Sequence, residues 1–189
     1  MPKNEIRIVG GLWKRSKLSV VDRPGLRPTP DRVRETLFNW LGQDLGGWRC
    51  IDVFAGTGAL GFEAASRGAV DVLLVEQDAL LVTQLKKTQA RLRAGAVRVQ
   101  RGDGVAALRQ LAPTSVDAIF LDPPFDSPLL EKALRLAAAA LKPTGWVYLE
   151  APAVWSDAQL APCGLELFRH LKAGAVHAHL LKQSSPREA

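Results

Sequence analysis

The chain has 189 residues, 47% of them apolar, enough for one domain with a substantial core. Two cysteines, Cys50 and Cys163, stand in no ligand-spaced cluster, which argues against a zinc site or a disulfide framework. The start, Met1-Pro2-Lys3-Asn4-Glu5, lacks an apolar signal region, and no apolar run approaches membrane-spanning length, so a soluble cytoplasmic protein is expected.

The formal charge of +6 is unevenly placed. Residues 1–35 hold nine Lys/Arg against four Asp/Glu, a net +5, which leaves +1 for the remainder. A basic arm on a near-neutral body suits a polyanion, because neutralising phosphates releases counterions.

In chain order, Ile6–Val9 and Leu18–Val21 are short strands that can pair as a hairpin around Gly10-Gly11 and a basic patch. Arg23–Pro28 is a loop. Thr29-Pro30 reads as a cap followed by proline at the first helical position, opening an amphipathic helix over 30–42 on Val33, Leu37, Trp40 and Leu41. Strands and helices then alternate: strand Arg49–Phe54, helix Ala59–Arg67, strand Val70–Val75, helix Ala79–Leu92, strand Val97–Arg101. Helix Val105–Leu111, strand Val116–Leu121, helix Leu129–Leu141 and strand Gly145–Leu149 follow, with closing strands near Leu165–Leu171 and Ala175–Leu181. This alternation predicts an α/β fold: a mostly parallel seven-stranded sheet with helices on both faces and a small basic N-terminal hairpin. The parts are a basic extension over 1–28, an α/β domain over 29–183 and a frayed tail over 184–189. Ligands of such sheets sit beyond the carboxyl ends of the strands, where the topology switches.

Gly56-Thr57-Gly58-Ala59-Leu60-Gly61 matches G-x-G-x-x-G between a strand and a helix. Glu76, 20 residues after Gly56, ends the second strand of the alternating series, where a carboxylate accepts from ribose hydroxyls. Nicotinamide enzymes carry the same string. Asp52, inside the preceding strand, separates the two cofactors. A carboxylate there suits the cationic amino-acid end of S-adenosylmethionine and is ill placed beside a pyrophosphate. Asp103, after the third strand of the series, can accept the adenine amine or serve only as a turn acid.

The fourth strand of that series ends in Asp122-Pro123-Pro124-Phe125. Two prolines fix the backbone and leave the Pro123 carbonyl free to accept. Asp122 offers a second acceptor and Phe125 a flat stacking surface. An exocyclic amine on a base is a poor nucleophile. Two acceptors gripping its N–H groups aim the lone pair at an electrophilic methyl, and orientation carries the reaction. Stacking on Phe125 contributes about 1–3 kcal/mol. The base must come out of its stack, by flipping or from a loop.

Asp52-Val53-Phe54-Ala55-Gly56-Thr57-Gly58 with Asp122–Phe125 resembles the Rossmann-like class I methyltransferases that modify exocyclic amines. The strings from Arg7 to Leu18 and from Gly25 to Leu41 are similar to the RsmD-type bacterial family, which methylates the guanine-966 N2 amine of 16S ribosomal RNA in assembling small subunits. The resemblance spans roughly residues 6 to 182. It implies S-adenosyl-L-methionine as cofactor, held by Asp52, Phe54, Gly56, Gly58, Glu76 and Asp103. It implies Asp122, Pro123 and Phe125 at the target amine, and RNA contact by Lys14, Arg15 and Lys17. Arg27 and Arg32, read from their charge in a loop and a helix, suit phosphate over mere solvation. It implies 16S rRNA as partner; the residues show no ligand-spaced set for a metal, and a monomer is expected.

Three alternatives stand beside it. An adenine-N6 or cytosine-N4 DNA methyltransferase shares the Asp-Pro-Pro-Phe chemistry but needs a target-recognition domain. A non-catalytic RNA-binding assembly factor would not need the acids. A nicotinamide oxidoreductase leaves Asp122–Phe125 unexplained. Trp48, Trp146 and Trp155 read as packing residues, whereas Trp13 suits RNA stacking and packing equally. Arg34, like its neighbours, suits phosphate or solvent, and His170, His177 and His179 lack a metal pattern.

Overall fold

The computed structural model describes residues 5–20, 29–123 and 129–184. The Arg23–Pro28 loop, Arg27, Phe125 and the tail beyond Ser184 lie outside these residues.

A hairpin of β1 (Glu5–Arg7) and β2 (Lys17–Ser19) opens the chain, with Ile6 opposite Leu18. The α/β body follows: α1 (Asp31–Trp40), β3 (Arg49–Asp52), α2 (Ala59–Ser66), β4 (Asp71–Glu76), α3 (Ala79–Leu92), β5 (Val97–Arg101), α4 (Gly104–Arg109), β6 (Val116–Leu121), α5 (Leu130–Ala140), β7 (Leu141–Ala151), a short α6 (Asp157–Leu160), β8 (Leu165–Ala173) and β9 (Val176–Gln183). The sheet has seven strands in the order β5-β4-β3-β6-β7-β9-β8. The pairs from β5 to β7 are parallel, while β9 pairs antiparallel with β7 and β8. The order reverses between β3 and β6, so this crevice is the topological switch point.

β6 shows why a central strand reads as an unbroken apolar run. Ala118 and Phe120 enter a core with Val33, Leu37 and Phe38 of α1, Phe62 of α2 and Leu85 of α3. Ile119 and Leu121 enter a second core with Leu108 of α4 and Leu134 and Ala137 of α5. Ile8 and Leu18 of the hairpin segment belong to the first core, so the hairpin packs on the body.

Several boundaries differ from expectation. β7 begins at Leu141, because a register shift between Val116 and Ala118 lets Leu141 pair with Val116. The α6 turn and the Ala161–Cys163 3-10 turn were not legible; they hold too few residues to show a period. Thr29 is not the cap of α1. Pro30 holds that position, the helix starts at Asp31, and the Thr29 side chain points elsewhere. α3 matches its expected bounds because Asp78 caps it, accepting from the Leu80 and Leu81 amides.

Candidate active site

Four of the expected cofactor residues, Asp52, Gly56, Gly58 and Glu76, meet at the carboxyl ends of β3 and β4. Asp52 is buried, and its Oδ2 accepts the Gly61 amide of α2 at 3.1 Å. The glycine loop turns between them, with Gly58 at φ +76°. A Cβ on Gly58 would lie 2.7 Å from Leu85 and Phe62, and one on Gly61 would lie 2.0 Å from Leu74, so α2 starts hard against the sheet. Glu76 braces the loop from β4: its Oε2 accepts the Gly56 amide and its Oε1 the Asp78 amide, both at 2.9 Å. Phe54 is half-buried against the second core. Asp103 is exposed and caps α4, accepting the Ala106 amide at 2.6 Å, which leaves one oxygen for a ligand.

Across the switch point, β6 delivers Asp122 and Pro123. Asp122 is half-buried as a residue, with its carboxyl at the sheltered end, and has no hydrogen-bond partner among the described residues. The carbonyl of Pro123 likewise meets no described donor. β7 adds an acid that the sequence reading stopped one residue short of, Glu150, which is 3% exposed. Its Oε1 accepts the Thr29 hydroxyl at 2.6 Å and the Tyr148 hydroxyl at 2.8 Å. The available signal was an acid at the carboxyl end of a third core strand, as with Asp52 and Glu76.

Among the described residues no cation pairs with these carboxylates. Burial drives the Asp52 carboxyl up to about 7; the Gly61 amide only partly opposes this, and the Glu76 and Glu150 carboxylates add to it. Burial, then Glu150 and Asp52, raise Asp122 as well. Burial raises Glu150 against the two hydroxyl donors, and burial beside Glu150 raises Tyr148. A buried cluster of carboxyl groups that pairs with no cation among the described residues is complementary to a ligand that carries positive charge and ill suited to a pyrophosphate. S-adenosylmethionine, with its sulfonium and ammonium groups, fits; a nicotinamide dinucleotide does not.

The basic hairpin lies apart from this cluster. Lys14, Arg15, Lys17 and Arg32 are all exposed. The segment after β1 is strapped to the C-terminal end of α2: Oε2 and Oε1 of buried Glu63 accept the Val9 and Gly10 amides, and Ser66 Oγ accepts the Trp13 amide. The glycine loop sits at the other end of that helix, about 12 Å away at 1.5 Å per residue. Arg34 is fully buried and pairs with Glu63 at 3.2 Å and with Asp31, so it is an internal counter-charge with no exposure to phosphate. Arg67 adds a second pair to Glu63 at 2.9 Å. Trp13 is half-buried against the first core, and Leu12 at the tip is 82% exposed. Trp48 and Trp146 pack against the first core and Trp155 against the second. Among the histidines, His179 is buried, takes the Trp155 amide on Nε2 and meets the Leu149 carbonyl with Nδ1; His170 and His177 bond each other at 2.9 Å. Among the described residues no group of His, Cys, Asp or Glu is arranged to hold a metal, and no helix is long and apolar enough to cross a membrane.

A five-strand parallel core closed by an antiparallel pair, with a glycine loop and acids at the switch point, defines a Rossmann-like class I methyltransferase fold. The chain belongs to the family described as "Conserved hypothetical protein 95", whose model matches residues 6–182. It is 41% identical to Ribosomal RNA small subunit methyltransferase D of Escherichia coli, across 98% of this chain and 93% of that protein. It is 42% identical to the protein of the same name in Haemophilus influenzae, across 78% of this chain and 79% of that one. A solved putative methyltransferase from Escherichia coli superposes with a TM-score of 0.79 at 38% identity, covering 95% of this chain and 98% of that chain.

Proposed function

We propose that this chain transfers a methyl group from S-adenosyl-L-methionine to the exocyclic N2 amine of a guanine in 16S ribosomal RNA, in the cytoplasm, on a small-subunit assembly intermediate. The observation that carries the reading is the carboxylate cluster at the switch point, which pairs with no cation among the described residues, with Asp122 and the Pro123 carbonyl meeting no donor among those residues. The names of the curated relatives support ribosomal RNA of the small subunit as the substrate.

Asp52 and Glu76 take the cofactor half of the site. Asp52 would accept from and neutralise the amino-acid end, while Glu76, each of whose oxygens accepts one backbone amide, would take ribose hydroxyls on its remaining lone pairs. Gly56 and Gly58 admit the ligand against bare backbone, and the free oxygen of Asp103 takes the adenine amine. The cofactor supplies an electrophilic methyl on a sulfonium. Asp122 and the Pro123 carbonyl accept the two N–H groups of the target amine, with the base stacked on Phe125. With the cofactor bound, its methyl would pass to the nitrogen lone pair that Asp122 and the Pro123 carbonyl aim at it, the thioether would leave, and Asp122 or solvent would take one amine proton. No step needs a strong base beforehand, since the proton becomes acidic once the nitrogen is alkylated. Orientation and fixed dipoles carry the barrier reduction. The exposed basic set, Lys14, Arg15, Lys17 and Arg32, tracks phosphates as backbone contacts do, and Arg27 is a further phosphate ligand on its charge.

The test is transfer of labelled methyl into small-subunit particles from a strain lacking the enzyme, followed by nucleoside analysis. The expected product is N2-methylguanosine at one position. Label in N6-methyladenosine or N4-methylcytidine overturns the guanine assignment.

A further inference from the structure

The target-amine contacts at Asp122 and Pro123 are blind to the base, because adenine, cytosine and guanine all offer an exocyclic amine. What differs is the neighbouring ring nitrogen. Guanine presents a second donor there, N1–H, whereas adenine N1 and cytosine N3 are acceptors. A site that selects guanine therefore needs an acceptor beside the amine grip.

β7 provides one. In the parallel ladder Phe120 pairs with Tyr148 and Leu121 with Leu149. One step further along, Asp122 and Glu150 follow on neighbouring strands, on the sheet face that carries Phe120 and Tyr148. The Glu150 carboxyl is buried and held by two donors on one oxygen, Oε1: Thr29 from the segment just before α1 and Tyr148 from its own strand. Its other oxygen, Oε2, meets no donor among the described residues. A buried carboxylate oxygen left without a donor is costly unless a ligand completes it.

We propose that Glu150 reads the target base, its Oε2 accepting the ring N1–H of guanine while Asp122 and the Pro123 carbonyl accept the N2 hydrogens. This rests on the guanine reading above and adds the residue that selects it. Thr29 and Tyr148 are positioning residues, because they hold Oε1 and so turn Oε2 toward the base. The same arrangement disfavours adenine and cytosine by setting a carboxylate oxygen against a ring lone pair. It accounts for an acid, where an apolar residue would pack, at the end of a core strand.

The experiment compares guanine with 2-aminopurine, which keeps the 2-amino group and lacks N1–H. Small-subunit particles are reconstituted with RNA carrying either base at the target position, and kcat/KM is measured for both. The wild-type enzyme is expected to favour guanine by about tenfold or more. In Glu150→Gln the two hydroxyl donors keep the amide oxygen at the Oε1 place and turn the NH2 group toward the ring nitrogen. The guanine to 2-aminopurine ratio then falls at least about tenfold, with cofactor affinity and Tm near wild type. A purely structural role lowers both substrates together and leaves the ratio unchanged, which overturns the proposal. So does a wild-type enzyme that accepts both bases equally. Should Glu150→Gln fold poorly, Thr29→Val loosens the carboxyl without removing it; a lowered ratio supports the proposal and an unchanged one refutes it. A wild-type enzyme that leaves guanine unmethylated and labels another base refutes the functional reading itself.

Discussion

The raised pKa of Asp52 makes both stability and cofactor binding depend on pH. An unfolded aspartate titrates near 3.8, whereas in the native chain Asp52 titrates at about 7. Between these values the native state keeps a proton that the unfolded chain has released. Stability of the free protein is therefore full below about pH 4 for this group and declines as pH rises toward 7. The slope approaches about 1.4 kcal/mol per pH unit, and the whole shift corresponds to roughly 4 kcal/mol as an order of magnitude. Asp122 and Glu150 shift in the same direction and steepen the fall. A cationic cofactor reverses the preference, because it binds the ionised form. Urea unfolding of the free protein between pH 5 and 8 measures the first effect, with Asp52→Asn expected to flatten part of the decline. Calorimetry with S-adenosylmethionine in buffers of different ionisation enthalpy measures the second. Binding at pH 6 is expected to release close to one proton or more, and affinity should rise up to about tenfold per pH unit toward pH 7. Binding that is independent of pH, with no proton released at pH 6, would refute the argument that the cluster is an uncompensated cation site.

Two other outcomes follow from the hairpin. Glu63→Ala leaves buried Arg34 with Asp31 as its remaining carboxylate and frees the Val9 and Gly10 amides; denaturant unfolding should show a loss of about 3–5 kcal/mol, and a loss under 1 kcal/mol would contradict the strap. Replacing exposed Lys14 and Arg15 together with alanine should weaken RNA binding and lower the slope of log K against log salt by about 1.5, with cofactor affinity unchanged. An unchanged slope in filter binding would remove the hairpin from the RNA surface.

The alternating body was legible because each strand and helix carries its own period and punctuation. Asp52, Gly56, Gly58 and Glu76 could be placed from local spacing alone, since strand ends and a glycine turn fix their neighbourhood. Contacts between distant segments were not legible. Thr29 looks like a cap beside Pro30, and its hydroxyl instead reaches Glu150, 121 residues on. Glu63 sits in a run of small and apolar residues, an odd place for a charge, and only the docked hairpin with Arg34 and Arg67 explains it. Arg34 shares the helix and the charge of Arg32, and rotation about the helix axis sends one into the core and the other to solvent. Trp13 could stack on RNA or pack, and the ties of Ser66 to the turn place it against the core.

The division of the site into a cofactor half at Asp52 and a target half at Asp122 is tested most directly by one variant, Asp122→Ala, read two ways. Calorimetric affinity for S-adenosylmethionine should stay within a few-fold of wild type, while single-turnover methyl transfer to the ribosomal particle falls by at least about 10²–10³-fold. Equal loss of binding and transfer, or transfer that survives, would contradict the account.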